Sequence, residues 1–218
     1  MICVSIGNIT FNKAENIINN ENFVELRLDT MALTNDEIKA LFSQDCKLIA
    51  TYRKTNNITD DERLIALKTA IDSGAYYIDV DINNSNDFIN EIIFHAKNKN
   101  RKIIISYHNF KETPSDNYLN NIVKKCFSYN PDIVKIACMV NNIIDNTSLF
   151  ALYNSYKNII SIGMGEKGKV TRIAGQSLGA PFTYASLNKN EKTAPGQIDK
   201  KTMINIFNKM EDLKNKND

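Results

Sequence analysis

The stretch that most constrains the fold is Pro131-Asp132-Ile133-Val134-Lys135-Ile136-Ala137-Cys138-Met139. Its β-branched residues follow a Pro-Asp turn, which predicts a buried strand. Successive side chains of a strand point to opposite faces. Lys135 therefore shares one face with Ala137 and Met139, while Val134 lies on the other.

A lysine in the middle of a buried strand is costly unless its charge is paired or neutralised. Two interpretations of Lys135 are open at this point. In the first, it is a structural residue held in an ion pair. In the second, burial and cationic neighbours favour the neutral amine, which can attack a carbonyl carbon.

Short apolar runs alternate with longer amphipathic runs along the whole chain. The apolar runs predict strands at 2–6, 23–28, 47–52, 76–82, 102–107, 133–139, 158–164 and 182–185. The amphipathic runs predict helices at 13–19, 35–42, 60–73, 85–98, 115–129, 147–156, 170–178 and 199–214. Eight β-then-α units indicate an α/β protein with a (β/α)8 TIM barrel. We expect one domain over residues 1–218, because no linker or shift in composition divides the chain.

The composition predicts a globular chain without a nucleic-acid or membrane partner. Lysine and arginine number 27 against 25 acidic residues, and the formal charge of +2 gives no electrostatic case for nucleic acid. No apolar run approaches the roughly 18 residues of a membrane span. The N-terminus lacks the charged leader and apolar segment of a signal peptide. We therefore expect a cytoplasmic location.

The cysteines and histidines do not have the spacing of a metal site. The chain has no C-x-x-C pair, and its only histidines are His95 and His108. We expect buried free thiols in a reducing compartment, and no catalytic transition metal. The cysteines are Cys3, Cys46, Cys126 and Cys138.

Several predicted strands end in polar residues that share the inward face. In a (β/α)8 barrel the chemistry lies at the C-terminal ends of the strands. The polar residues at these ends and in the loops beyond them are Glu25, Arg27, Arg53, Asp79, Asp81, His108, Lys135, Arg172, Thr193 and Gln197. A lysine, a histidine and several arginines at one barrel mouth suit a small anionic carbonyl substrate, because arginines bind carboxylates.

At these positions the chain resembles the type I 3-dehydroquinate dehydratases of the shikimate pathway, which serves aromatic amino acid biosynthesis. The resemblance spans nearly the whole chain and depends on six short motifs found in order on the expected strands. They are Glu25-Leu26-Arg27-Leu28-Asp29, Thr51-Tyr52-Arg53, Ser106-Tyr107-His108-Asn109-Phe110, Lys135-Ile136-Ala137-Cys138-Met139, Thr171-Arg172-Ile173-Ala174-Gly175 and Ala194-Pro195-Gly196-Gln197. The resemblance implies a (β/α)8 Schiff-base enzyme, commonly a homodimer and without a cofactor. It would dehydrate 3-dehydroquinate, an anionic cyclic ketone, to 3-dehydroshikimate.

The resemblance also implies roles for individual residues. Lys135 matches the lysine that forms the imine, and His108 matches the general acid and base. Arg172 matches the arginine that binds the substrate carboxylate. The other substrate contacts match Ser5, Glu25, Arg27, Arg53, Thr193 and Gln197.

The chain departs from the family pattern beside the histidine. Many relatives carry a glutamate shortly after the arginine that matches Arg53, whereas residues 54–59 contain no acid here. Relatives often have aspartate directly after the catalytic histidine, where this chain has Asn109. We therefore predict that Asp79, on the neighbouring strand, orients His108 by fixing the tautomer of its imidazole.

Two other functions fit part of the same residue set. A Schiff-base aldolase or transaldolase-like barrel would also use a lysine on strand six, and Arg172 would then bind the phosphate or carboxylate of a small carbonyl substrate. A non-catalytic barrel that binds a small acid would form no covalent adduct. Borohydride reduction with candidate ketones, followed by intact mass measurement, separates the three functions.

Overall fold

The structure is a computed structural model that describes residues 1–215, with side chains through residue 213. The last three residues of the domain predicted over 1–218 lie outside this part. The strands are β1 (Ile2–Ile6), β2 (Phe23–Arg27), β3 (Lys47–Thr51), β4 (Tyr77–Asp81), β5 (Lys102–Asn109), β6 (Ile133–Met139), β7 (Ile159–Met164) and β8 (Thr183–Ser186). The helices are α1 (Phe11–Asn19), α2 (Asn35–Phe42), α3 (Asp60–Ser73), α4 (Asn86–Asn98), α5 (Asp116–Phe127), α6 (Asp145–Ser155), α7 (Lys169–Ala174) and α8 (Lys200–Asn215).

The strands form one parallel sheet in the order β7-β6-β5-β4-β3-β2-β1-β8. Each strand is followed along the chain by a helix. Within residues 1–215 no hydrogen-bonded ladder joins β7 to β8, so the barrel is nearly closed. The predicted α/β class and (β/α)8 TIM barrel are confirmed.

Two predicted element boundaries differ from the structure in ways that affect the site. Strand β5 continues to Asn109, and the pairing of His108 with Ala137 fixes the histidine on the strand. Helix α7 ends at Ala174 instead of residue 178. Residues 175–179 form turns instead, and the chain reverses at Gly179, where φ is +107° and the amide of Ala180 donates to the Gly175 carbonyl at 2.9 Å.

Helices α2 and α3 each begin with a capping box. Thr34 and Thr59 each form a capping box, with Glu37 and Glu62 respectively. In both boxes the threonine hydroxyl accepts a backbone N–H while the glutamate accepts the N–H of the threonine. Gly74 follows the last residue of α3 and caps the helix. Its φ of +122° suits a glycine better than any other residue.

Strand alternation divides the apolar residues into two cores. Residues such as Val134 and Ile136 face outward and pack in the larger core beneath the helices. The inward faces form a smaller core inside the barrel. Its aromatic floor consists of Phe23, Tyr77 and Phe182, whose ring centroids lie between 4.8 and 6.3 Å apart.

Above this floor, alternate strands contribute one residue each to a polar interior layer. Glu25, Asp79 and Tyr184 lie two residues beyond the three floor rings, and Lys135 lies two residues beyond Ile133, which belongs to the same inner core. Side chains of alternate strands share a level in a (β/α)8 barrel. The layer therefore holds three ionisable charged groups and one aromatic ring above the apolar floor, and Lys135 lies on the inner face as the sequence predicts.

The cysteines are free thiols, with Cys3, Cys126 and Cys138 buried and Cys46 partly exposed. Burial raises the pKa of the Cys126 thiol to about 12. Separately, no helix in the described part of the chain has both the length and the apolar character that a membrane span needs.

The two threonines Thr59 and Thr69 of the α3 region offer a matched test of the capping box. Thr59→Ala removes the cap, so the free energy of unfolding should fall by about 1 kcal/mol. Thr69→Ala removes only a hydroxyl that donates to the Ile65 carbonyl within the helix, so stability should change by less than about 0.5 kcal/mol. Urea unfolding followed by circular dichroism measures both, and equal losses would contradict the assigned role of Thr59.

Candidate active site

A cavity of about 600 Å³ opens at the C-terminal ends of the strands. Most of the site residues predicted from the sequence line it. These residues are Glu25, Arg27, Arg53, His108, Lys135, Arg172, Thr193 and Gln197. The two other predicted residues, Ser5 and Asp79, lie behind this wall and hydrogen-bond to it.

Lys135 lies at the base of the cavity with its side chain almost fully buried. Its Nζ donates to Oδ2 of Asp79 at 3.0 Å and lies 3.5 Å from Oε1 of Glu25. The ion pair of the first interpretation is therefore present. The groups in contact with the amine are carboxylates. The second interpretation expected cationic neighbours instead.

Asp79 supports the lysine and not the histidine. Its Oδ1 accepts from Nη2 of Arg53 at 2.8 Å and from the hydroxyl of Ser106 at 2.5 Å, while Oδ2 accepts from Lys135. Burial alone would raise the pKa of this carboxyl. The charges of Arg53 and Lys135 outweigh burial and hold the pKa well below its usual range. The structure gives no support to the prediction that Asp79 orients His108, because the hydrogen bonds of Asp79 go to Arg53, Ser106 and Lys135.

The residue that contacts His108 is Asp81, two positions further along β4. Its Oδ2 lies 2.8 Å from Nδ1 of His108. His108 lies two residues beyond the point where Asp81 pairs with Ser106, so the carboxylate nearer the strand end is the one within reach. The sequence places both aspartates on the inner face, and the strand register decides between them.

The electrostatics of this pair define the tautomer. Burial lowers the pKa of His108 and the charge of Arg53 lowers it further, while the hydrogen bond to Asp81 opposes both. Burial opposes ionisation of Asp81, but His108 and Arg53 keep its pKa below the usual value. A neutral imidazole beside an ionised carboxylate carries its proton on Nδ1. The lone pair of Nε2 is then free for a substrate.

Glu25 is held by two hydroxyl groups below the barrel mouth. Ser5 donates to its Oε2 at 2.5 Å, and Thr51 donates to its Oε1 at 2.9 Å. Burial opposes its ionisation, yet the charge of Lys135 keeps the pKa lowered. The Ser5 hydroxyl also lies 2.6 Å from that of Thr193, which connects the carboxylate to the loop after β8.

The loop after β8 lies over the cavity and is braced internally by Gln197. The side-chain oxygen of Gln197 accepts from the backbone amides of Thr193 at 2.7 Å and Ala194 at 3.2 Å. Gly196 has φ of +72°, and a Cβ there would stand 2.3 Å from the Gly165 carbonyl oxygen. Only glycine lets the two loops approach so closely.

Three arginines line the cavity, and they differ in their partners. Arg27 forms a two-bond pair with Asp29, at 3.0 and 2.7 Å. Arg53 is paired with Asp79, but its Nη1 is buried with no hydrogen bond to the described residues. These contacts fix the orientation of Arg27. They leave the Nη1 nitrogen of Arg53 without a hydrogen-bond partner among the described residues.

Arg172 is the arginine best placed to bind an anion. Its side chain is 3% exposed, and its Nη2 donates to the Pro195 carbonyl at 3.3 Å. Its Nε makes no hydrogen bond, and no carboxylate forms an ion pair with it, within the described side chains. Burial lowers its pKa to about 10, although Glu25 opposes this. A buried guanidinium without a counter-ion is stabilised by an anionic ligand.

Several residues of the cavity wall were not among the site residues predicted from the sequence. They include Asp29, Asn83, Asn84, Phe110, Ala137, Ile162, Met164 and Tyr184. The sequence could have indicated Tyr184, because it lies two residues after Phe182 in the predicted strand 182–185 and so shares its inward face. Among residues 1–215, no three or more His, Cys, Asp and Glu side chains are arranged to hold a metal ion.

Comparison with known proteins identifies relatives along almost the full chain. The model of the family described as type I 3-dehydroquinase matches residues 2–214. The 3-dehydroquinate dehydratase of Methanocaldococcus jannaschii is 36% identical over 231 residues, which cover 98% of this chain and 100% of that protein.

Solved structures of this group have the same fold. The Aquifex aeolicus 3-dehydroquinate dehydratase has a TM-score of 0.82 at 27% identity, covering 96% of this chain and 98% of that one. The Clostridium difficile type I enzyme with covalently modified comenic acid has a TM-score of 0.83 at 25% identity, covering 96% and 91%. This chain belongs to the type I 3-dehydroquinase family.

Proposed function

We propose that this chain is a carbon–oxygen lyase that removes water from 3-dehydroquinate to give 3-dehydroshikimate, in the shikimate pathway. The observation that carries the proposal is the convergence of Lys135, His108 and Arg172 on one cavity. They supply a buried amine, a neutral imidazole with a free nitrogen, and an unpaired guanidinium. A cyclic ketone that bears a carboxylate needs all three.

Lys135 is the proposed nucleophile. Its ammonium first transfers a proton within the site, and the neutral nitrogen then attacks the ketone carbon. The carbonyl oxygen takes up that proton and a second one from the nitrogen and leaves as water, so the product is a protonated imine. The positive imine draws electrons from the adjacent carbon and makes its C–H bond acidic.

His108 is the proposed general base and acid. Asp81 holds Nδ1–H, so Nε2 takes the proton from the carbon next to the imine. The resulting carbanion is stabilised as an enamine, and the electron pair then expels the hydroxyl group, which leaves as water with the proton from His108. Hydrolysis of the imine by another water molecule releases 3-dehydroshikimate and restores Lys135.

The remaining site residues are proposed to hold the substrate. Arg172 would form a two-bond pair with the substrate carboxylate. Glu25, Arg27 and Arg53 would bind the substrate hydroxyls and ring, and Arg53 has a free Nη1 for this contact. The loop over the cavity would add Thr193 and Gln197, while Ser5 acts through Glu25.

We also propose that the chain works in the cytoplasm as a homodimer. The free thiols suit a reducing compartment. Ile143 and Ile144 are adjacent in the chain and 71% and 62% exposed, which suits burial against a second copy. Sedimentation equilibrium tests the homodimer by comparing the particle mass with that of one chain.

The covalent step is tested with lysine variants. Lys135→Ala should abolish turnover, and borohydride with 3-dehydroquinate should no longer add mass to the chain. Lys54→Ala, which removes an exposed lysine from the rim of the same cavity, should still form the adduct. Lys135→Ala leaves Glu25 without its ion-pair partner and Asp79 with Arg53 alone, so its unfolding free energy should also fall by about 3–5 kcal/mol. An adduct on Lys135→Ala would refute the assignment.

The role of Asp81 predicts a pH effect. The base form of His108 is needed and its pKa is lowered, so kcat/KM should stay high below pH 6.5 and fall only at more acidic pH. Asp81→Asn removes the contact that raises this pKa, so the acid limb should move further down while kcat falls by roughly 10²–10⁴-fold. Asp81→Glu keeps a carboxylate and should recover part of the rate. An unchanged rate and acid limb in Asp81→Asn would exclude this role.

The carboxylate contact is tested at Arg172. Arg172→Ala should lose about 2–5 kcal/mol of transition-state binding, or roughly 30- to several-thousand-fold in kcat/KM. Arg172→Lys should not restore it, because an ammonium cannot form the two parallel bonds. Arg101→Ala, just before β5 at the opposite end of the barrel, should have wild-type kinetics. Normal kcat/KM in both Arg172 variants would show that another group binds the carboxylate.

A further inference from the structure

Tyr184 on β8 lies against the amine of Lys135. Nζ of Lys135 is 4.1 Å from the centroid of the tyrosine ring and faces the π surface. The residue is 2% exposed and forms part of the cavity wall. Its hydroxyl makes no hydrogen bond to the described side chains or backbone. The contact with the lysine is therefore made by the ring.

The partners of the Lys135 nitrogen differ in what they require from it. Asp79 accepts a hydrogen bond from the nitrogen at 3.0 Å, and Glu25 lies 3.5 Å away as an ion-pair partner. A hydrogen bond to either carboxylate needs an N–H on the nitrogen. An ammonium group has three such hydrogens. When it condenses with a ketone, two of them leave with the carbonyl oxygen as water, and the protonated imine keeps one N–H. At most one of the two carboxylates can then accept a hydrogen bond from this nitrogen, although both keep their other donors.

The ring of Tyr184 does not have this requirement. The attraction between a cation and an aromatic face depends on the charge and not on an N–H. The contact therefore survives the change from ammonium to protonated imine. The neutral carbinolamine, which lies between them on the reaction path, carries no charge on nitrogen and is not attracted in the same way.

We propose that Tyr184 is a catalytic residue whose ring face stabilises the protonated imine on Lys135 relative to the neutral carbinolamine. This inference deepens the proposed function and rests on it. The ring favours loss of water from the carbinolamine, because it stabilises the charged product of that step and not its precursor. The unpaired hydroxyl has no part in this effect.

The test compares three substitutions. Tyr184→Phe keeps the ring, and Tyr184→Leu removes it. Phe182→Leu is the matched control, because this buried ring contacts Tyr184 with centroids 5.3 Å apart and belongs to the aromatic floor. Each variant is mixed with 3-dehydroquinate and borohydride, and the rate of adduct formation is followed by intact mass alongside kcat/KM.

The expected result separates the ring from general packing. Tyr184→Phe should trap adduct within about threefold of the wild-type rate, and it should melt at a higher temperature because an unsatisfied buried hydroxyl is removed. Tyr184→Leu should slow trapping by about 10- to 30-fold. Phe182→Leu should lower the melting temperature and leave the trapping rate unchanged.

A series of fluorinated phenylalanines at position 184 tests the electrostatic origin of the effect. One, two and three fluorine atoms weaken the negative π face with little change of shape, so the trapping rate should fall in steps. A flat series, a loss in Tyr184→Phe equal to that in Tyr184→Leu, or an equal loss in Phe182→Leu would overturn the role of the ring. Failure of the wild-type chain to form any adduct would instead overturn the proposed function and this inference with it.

Discussion

The positive charge of Lys135 is buried inside a barrel whose floor is aromatic, and the pairing of that charge constrains the rest of the interior. A charge at this depth is tolerated only with close counter-charges. Asp79 and Glu25 supply them from two other strands at the same level. Each carboxylate then needs its own donors, which are an arginine and hydroxyl groups on the intervening strands. The polar interior is one connected network built around a single amine.

This network also reaches the loop after β8 at the barrel mouth. The hydroxyl of Ser5 joins Glu25 to Thr193, so the loop after β8 and the carboxylate beside the lysine share a hydrogen-bonded path. Arg172 is the exception, because its guanidinium is buried without a counter-ion among the described residues. An anion bound there would complete the charge pairing of the site, which explains why a carboxylated substrate suits it.

Much of the fold followed from local patterns in the sequence. Periods of two and 3.6 residues identify the strands and helices, and the count of eight repeated units identifies the barrel. The capping boxes of Thr34 and Thr59 are also local, because each joins residues three positions apart. The end of α7 was predicted too late, since the chain reverses there through turn hydrogen bonds that have no periodic signal. The missing β7–β8 ladder depends on the approach of two strands distant in the sequence.

The sequence by itself determined the class of fold, the inward face of each strand, and the set of polar residues at the barrel mouth, because alternation along a strand is a local rule. Only the tertiary structure decided which of those residues touch. Asp79 and Asp81 share a face and a strand, yet the register of β4 against β5 assigns one to Lys135 and the other to His108. Likewise, the curvature of the sheet brings Tyr184 of the last strand over the lysine of the sixth. Such contacts depend on strand stagger and barrel curvature, which no single segment of the chain encodes.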